Sequence, residues 1–97
     1  MYKELEVRRG VMLLDEKKPD WRDSFDPESL NMLYIGGCVL YQVFGGYTEG
    51  LDALGINYGG LEFEYGFDCD LQDNPRKYEF NETWKQLAGH PQASPVY

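Results

Sequence analysis

Apolar residues recur at Val7, Val11 and Leu14, the i, i+4, i+7 spacing of one helical face, and Leu5 and Met12 widen the stripe. A first helix is therefore predicted over residues 3–18. Glu4 precedes Arg8 by four positions, the favourable order for a helical ion pair, and Pro19 forbids continuation. Gly10, inside this helix, is expected to cost about 1 kcal/mol relative to alanine. Asp26-Pro27-Glu28 reads as a cap followed by proline at a first helical position, so a single turn is expected there.

The run Cys38-Val39-Leu40-Tyr41-Gln42-Val43-Phe44 is apolar enough for a buried strand or a short helix, which periodicity cannot separate at this length. The Gly45-Gly46 break and the following segment 47–55 favour two short helices in series. In the second, Tyr47, Leu51 and Leu54 face inward and Gly55 closes the helix. Leu61-Glu62-Phe63-Glu64-Tyr65 alternates apolar with acidic residues and predicts a half-buried strand, with Leu30-Asn31-Met32-Leu33-Tyr34 as the best pairing partner. A last helix is punctuated by Asn74-Pro75 and Gly89, with Phe80, Trp84 and Leu87 on its inner stripe. The predicted fold is thus α+β, mainly α: a single small domain over residues 1–88, of about four short helices with one short β-hairpin or strand pair. The proline-containing stretch 89–97 is expected to be a flexible tail.

Composition fits one modest core. The chain has 97 residues, 42% of them hydrophobic and 15% aromatic. A domain of that size buries about two-thirds of its extended surface. No apolar run approaches the ~18 residues of a membrane span, and Met1–Glu6 lacks a charged segment leading into an apolar one, so neither a span nor a secretory signal is expected. Two cysteines do not make a disulfide framework, and a reducing cytoplasm is the expected compartment.

Charge changes the picture most. The net charge is −8, but residues 1–20 balance five bases against five acids. Between Arg22 and Arg76 there is no lysine or arginine, and ten acidic residues fall in that interval. Such a segment opposes direct binding to nucleic acid or anionic lipid, both of which need a basic face. It serves either as a solubilising surface or as an electrostatic face for a basic partner. Tyrosines are interleaved with the acids, and aromatic anchors among steering carboxylates suit a protein interface. The residues expected to carry partner binding are Glu49, Asp52, Glu62 and Glu64, with Tyr47 and Tyr65 as anchors.

Other chemistry is thinly represented. Asp68, Asp70, Gln72, Asn74 and Glu79 take positions 1, 3, 5, 7 and 12 of a calcium loop, but Asp73 stands where such a loop needs glycine. Cys38, Cys69 and His90 lack the paired close spacing of zinc ligands. Cys38 lies in an apolar run, and Cys69 between two aspartates is poorly placed to become a thiolate. A single histidine and no phosphate-binding glycine motif leave little for catalysis. No enzyme, cofactor or metal is expected.

Four segments resemble one group of proteins: Leu13-Leu14-Asp15-Glu16-Lys17-Lys18-Pro19-Asp20-Trp21; Cys38-Val39-Leu40-Tyr41-Gln42-Val43-Phe44-Gly45; Gly50-Leu51-Asp52-Ala53-Leu54-Gly55; and Tyr65-Gly66-Phe67-Asp68 followed by Trp84. In this order they resemble small acidic proteins of actinobacterial bacteriophages, over roughly residues 11–87. This chain departs from the pattern at Tyr41, where glycine is common, and in a longer acidic turn at Asp68–Asn74. The resemblance implies a phage accessory protein acting in a bacterial cytoplasm and brings no catalytic residue with it. Together with the charge pattern, it leads to the expectation of a non-enzymatic protein that binds a basic surface of a host or phage protein. A DNA-mimic-like inhibitor of a nucleic-acid-binding protein is the sharper form. The alternatives are a small self-associating assembly protein, read from the aromatic surface, and a divalent-metal-binding regulator using Asp68–Glu79.

Overall fold

A computed structural model describes residues 1–69 and 72–89. Five α-helices and one 3-10 turn make up its regular structure: α1 (Glu4–Lys17), the 3-10 turn Trp21–Asp23, α2 (Val39–Phe44), α3 (Tyr47–Leu54), α4 (Leu61–Glu64) and α5 (Lys77–Gly89). No helix among the described residues is long and apolar enough to cross a membrane. The tail expected from residue 89 lies, from residue 90 onward, outside the described residues, as do His90 and Asp70.

The expected β-hairpin is not there. No strand occurs among the described residues, and 61–64 is a single helical turn while 31–34 is an irregular turn. Leu61 and Tyr65 are four residues apart as well as two steps of an alternation, and as a helical turn both lean on the core while Phe63 is exposed. The turn is locked from its far side, where the Glu62 carbonyl accepts the backbone N–H of Phe67 (2.8 Å) and of Asp68 (3.2 Å). A strand would have left a ladder of N–H and C=O groups without partners, since 30–34 is occupied by its own turn bonds: Asn31 N–H to Gly37 O, and Tyr34 N–H to Asn31 O.

The helix stripes need smaller corrections. On α1, Val7, Gly10, Val11 and Leu14 are buried, whereas Leu5 and Met12 point outward at 66% and 69% exposure. On α5, Phe80, Thr83, Trp84 and Ala88 are fully buried and Leu87 only half so. Thr83 is the one buried polar residue among the described residues, and its hydroxyl donates to the Tyr2 carbonyl at 2.6 Å. Gly55 closes α3 in the left-handed region (φ 75°), as its position in the sequence suggested. Asp26 caps a turn, accepting from Glu28 N–H and the Ser29 hydroxyl, and these bonds lower its carboxyl pKa. The Gln42 carboxamide ties that turn to α2 through both the N–H and C=O of Asp26.

The Leu13–Trp21 segment is explained by its packing. Pro19 ends α1, and the chain reverses so that the buried Trp21 donates its indole N–H back to Asp15 at 2.8 Å. The same Asp15 oxygen accepts from Arg22 at 2.7 Å, and Arg22 also reaches the Ala88 carbonyl of α5. The turn after Pro19, with Arg22, therefore fastens the ends of α1 and α5 together.

Gly10 acts opposite to its helix propensity. A β-carbon there would run into the Tyr65 carbonyl oxygen and stand 3.2 Å from the Trp84 ring. Gly10→Ala gains about 1 kcal/mol of helix propensity but overpacks the contact between α1, α4 and α5, at a cost of about 1–3 kcal/mol. Backbone lies on one side and an immobile indole on the other, so the second effect wins. The expected result is a lower urea midpoint with an unchanged m-value; a midpoint that rises would show that the helices part cheaply.

Candidate functional site

The central acids differ from the rest in how they are used. Among the described residues the acids in ion pairs are Glu4, Asp15, Asp20, Glu79 and Glu82, all outside the interval 23–73. None of the nine described acids inside that interval forms one, because no basic residue of the interval exists to pair with them.

These acids do not form one continuous face. Tyr47, the first residue of α3, and Asp68, which follows α4, meet through a bond from the tyrosine hydroxyl to Asp68 Oδ2 at 3.2 Å. Asp68 is held by the backbone on both sides: its N–H donates to Glu62 O, and its Oδ1 accepts from Cys69 N–H at 2.8 Å. Burial, with Asp68 and Glu62 nearby, raises the Tyr47 pKa far above the usual tyrosine value, so the phenol stays neutral. Glu49 folds back over the start of α3, where a β-carbon on Gly46 would collide with its carboxylate. Asp52 lies toward the far end of α3 and accepts from Asn57 at 2.8 Å. Glu64 and Tyr65 face α1: Arg9 donates to the Glu64 carbonyl at 3.4 Å, and Tyr65 packs against the core. Of the six residues expected to bind a partner, Tyr47 and Glu62 share a corner with Asp68. Glu49 and Asp52 sit at either end of α3, and Glu64 and Tyr65 are on the α1 side.

A cleft opens beside the Tyr47–Asp68 pair. Its volume is about 180 Å³, and Met32, Leu33 and Ile35 form one wall, with Cys38, Phe67, Tyr47 and Asp68 completing it. That is smaller than the ~300–1,000 Å³ of pockets that hold drug-sized ligands, and about right for one long side chain. The Cys38 thiol donates to the Ile35 carbonyl, and burial raises its pKa, which favours the protonated thiol. The sequence did not single out Asp68 as a partner of Tyr47, since it figured there as the first position of a calcium loop and in the Tyr65–Asp68 segment. The apolar wall was missed because 30–34 read as a strand. The available signal was a carboxylate next to a buried aromatic, far in sequence from any base.

Asp68, Asn74 and Glu79 of the calcium-loop set are otherwise engaged, and Asp70 lies outside the described residues. Glu79 pairs with Arg76 through two bonds, at 2.9 and 3.1 Å. The Asn74 carboxamide accepts from Arg76 N–H and donates to the Tyr2 hydroxyl. Asp73 occupies the left-handed region (φ 53°), the conformation for which a calcium loop uses glycine. No group of three or more His, Cys, Asp or Glu side chains suited to a metal forms among the described residues. Cys38 and Cys69 are both buried as thiols. Exposed aromatic surface comes from Tyr34, Tyr41, Tyr58, Phe63 and Tyr78 rather than from the two tyrosines chosen as anchors.

No protein-family model matches the chain, and no curated protein or solved structure does either.

The Tyr47 shift has a consequence in alkali. An unfolded tyrosine ionises near pH 10, whereas the folded one holds its proton to higher pH, so above that point the unfolded state carries fewer protons. Stability present below pH 10 is therefore lost as pH rises through the folded pKa. Tyr47→Phe is expected to flatten the fall in melting temperature above about pH 10; an identical slope in the two proteins would contradict the assignment.

Proposed function

We propose that this is a non-enzymatic accessory protein, of phage origin as the sequence resemblance implies, that binds a basic surface of a host or phage protein in the bacterial cytoplasm. The observation that carries the reading is the absence of ion pairs to any described acid between Asp23 and Asp73, while five of the seven acids outside that interval, all but Glu6 and Glu16, pair with neighbouring bases. An acid left without an internal counter-ion keeps its field for a partner. The binding face is the acidic corner of Tyr47, Glu62 and Asp68 with Glu49 beside it. Because Glu64 lies near Arg9, the acids read better as a local corner than as a phosphate-like row.

The test is capture from an actinobacterial lysate on immobilised protein at low salt, compared with a Glu62→Lys/Glu64→Lys variant. The wild-type chain should retain basic proteins that elute as salt shortens the Debye length below about 8 Å, and the variant should retain several-fold less. Glu64 is exposed and Glu62 half-buried outside the apolar core, so melting should change by no more than about 1 kcal/mol per site. Equal retention by the two proteins would remove the electrostatic reading, and loss of folding in the variant would make the pair structural.

A further inference from the structure

We infer that the cleft beside Tyr47 and Asp68 is a socket for one arginine side chain of the partner protein. The inference deepens the proposed binding role and rests on it. Three features of the cleft match three parts of that side chain. Met32, Leu33 and Ile35 offer an apolar wall to a methylene stem. Asp68, with Glu62 close by and no basic residue in the interval 23–75, supplies a negative charge at the end of the wall. The Tyr47 hydroxyl oxygen and Asp68 Oδ2 are acceptors 3.2 Å apart, a spacing that two N–H groups of a planar guanidinium can bridge.

Arginine fits better than lysine for two reasons. An ammonium is a compact, strongly hydrated point charge, and drawing it into a half-buried corner strips that hydration for contact with one oxygen. The guanidinium is more weakly hydrated and spreads its donors over a fork. Asp68 Oδ1 already accepts from Cys69 N–H and Oδ2 from the Tyr47 hydroxyl; each keeps a lone pair, and the Tyr47 oxygen adds a further acceptor beside Oδ2 for the fork. The volume of about 180 Å³ admits one such side chain and little more, which suits an anchor in a larger protein contact.

Probes with a common stem separate the parts: n-butylguanidinium, n-butylammonium and n-butanol, titrated into the full chain and followed by NMR at the Met32 methyl and the Tyr47 ring. Saturable shifts at those groups are expected with butylguanidinium, at least fivefold weaker with butylammonium and weaker again with butanol. Asp68→Asn should reduce butylguanidinium binding at least fivefold. Ile35→Lys, at a rim position 63% exposed where folding is not at stake, should do the same by placing a cation at the mouth. Equal binding of butanol would overturn the inference, because the cleft would then read only the stem. Equal binding of butylammonium, or an undiminished response in Asp68→Asn, would overturn it as well. A nonaarginine peptide distinguishes this failure from failure of the binding role itself. If the peptide binds in a salt-dependent way and the cleft resonances stay still, the socket is wrong and the acidic face stands. If the peptide does not bind at all, both fall.

Discussion

Replacing Trp84 by alanine is expected to leave the protein largely unfolded at 37 °C. Trp84 is fully buried, stacks on Phe67 with ring centroids 5.5 Å apart, and donates its indole N–H to the Gly66 carbonyl at 2.6 Å. It also forms the surface against which Gly10 brings α1. Truncating a buried tryptophan costs about 3–5 kcal/mol, and a domain of this kind has only about 5–15 kcal/mol in all. The loss is greater than packing alone implies because the Gly66 carbonyl is left buried without its donor, a further penalty of about 1–3 kcal/mol. Trp84→Phe isolates that second effect, since it keeps most of the ring and removes the N–H. Urea unfolding of the three proteins should place Trp84→Phe between wild type and Trp84→Ala. A Trp84→Ala midpoint close to wild type would mean that α5 is held mainly elsewhere, at Thr83 and the Asp15–Arg22 network.

Gly66→Ala is expected to be nearly as damaging, though it adds one carbon and removes nothing. Gly66 has φ 70°, a left-handed conformation that costs an L-residue about 1–2 kcal/mol. Its β-carbon would also stand 2.7 Å from the backbone of Glu6 and Val7 in α1. Backbone atoms cannot rotate aside, so α1 has to move from the turn that carries Phe67 and Asp68, an overpacking cost of about 1–3 kcal/mol more. The two costs fall on one atom and are expected to sum to about 2–5 kcal/mol. The movement should also disturb the Tyr47–Asp68 corner, because Asp68 is placed by the turn that begins at Gly66. The expected signature is a lowered melting temperature together with a shifted Tyr47 ring resonance. An unperturbed Tyr47 in a destabilised variant would show that the corner is held independently of α1.

Much of the helical framework was legible because its signals are local. Pro19, Gly45 and Gly55 end helices where the chain sequence places them, and Asn74 caps the approach to α5. The charge-free pairing of the central acids also follows from sequence, since a segment without lysine or arginine has no local counter-ion to offer. Residues 61–65 were illegible for the opposite reason. Over five positions an alternation of apolar and acidic residues fits one helical turn as well as a strand, because Leu61 and Tyr65 coincide in both periods. Only the partner decides, and the partner is the Phe67–Asp68 backbone reaching the Glu62 carbonyl rather than another strand.

The tyrosines divide in the same way. The helical spacing of Tyr47 with Leu51 and Leu54 turns it inward, but nothing in the sequence separates Tyr65, which leans on the core, from Tyr34 and Tyr58, which do not. Gly10 carries a local helix penalty in sequence and a favourable role in three dimensions, visible only once the Tyr65 carbonyl and Trp84 arrive from distant parts of the chain. By itself the sequence determined where α1 and α3 lie and which stretch bears uncompensated negative charge, since both depend on residues within a few positions of one another. The tertiary structure alone decided that Tyr47, separated from Asp68 by 21 positions, meets it at the edge of a largely apolar cleft. Contacts of that kind depend on how closely helices approach, and no nearest-neighbour pattern encodes the distance.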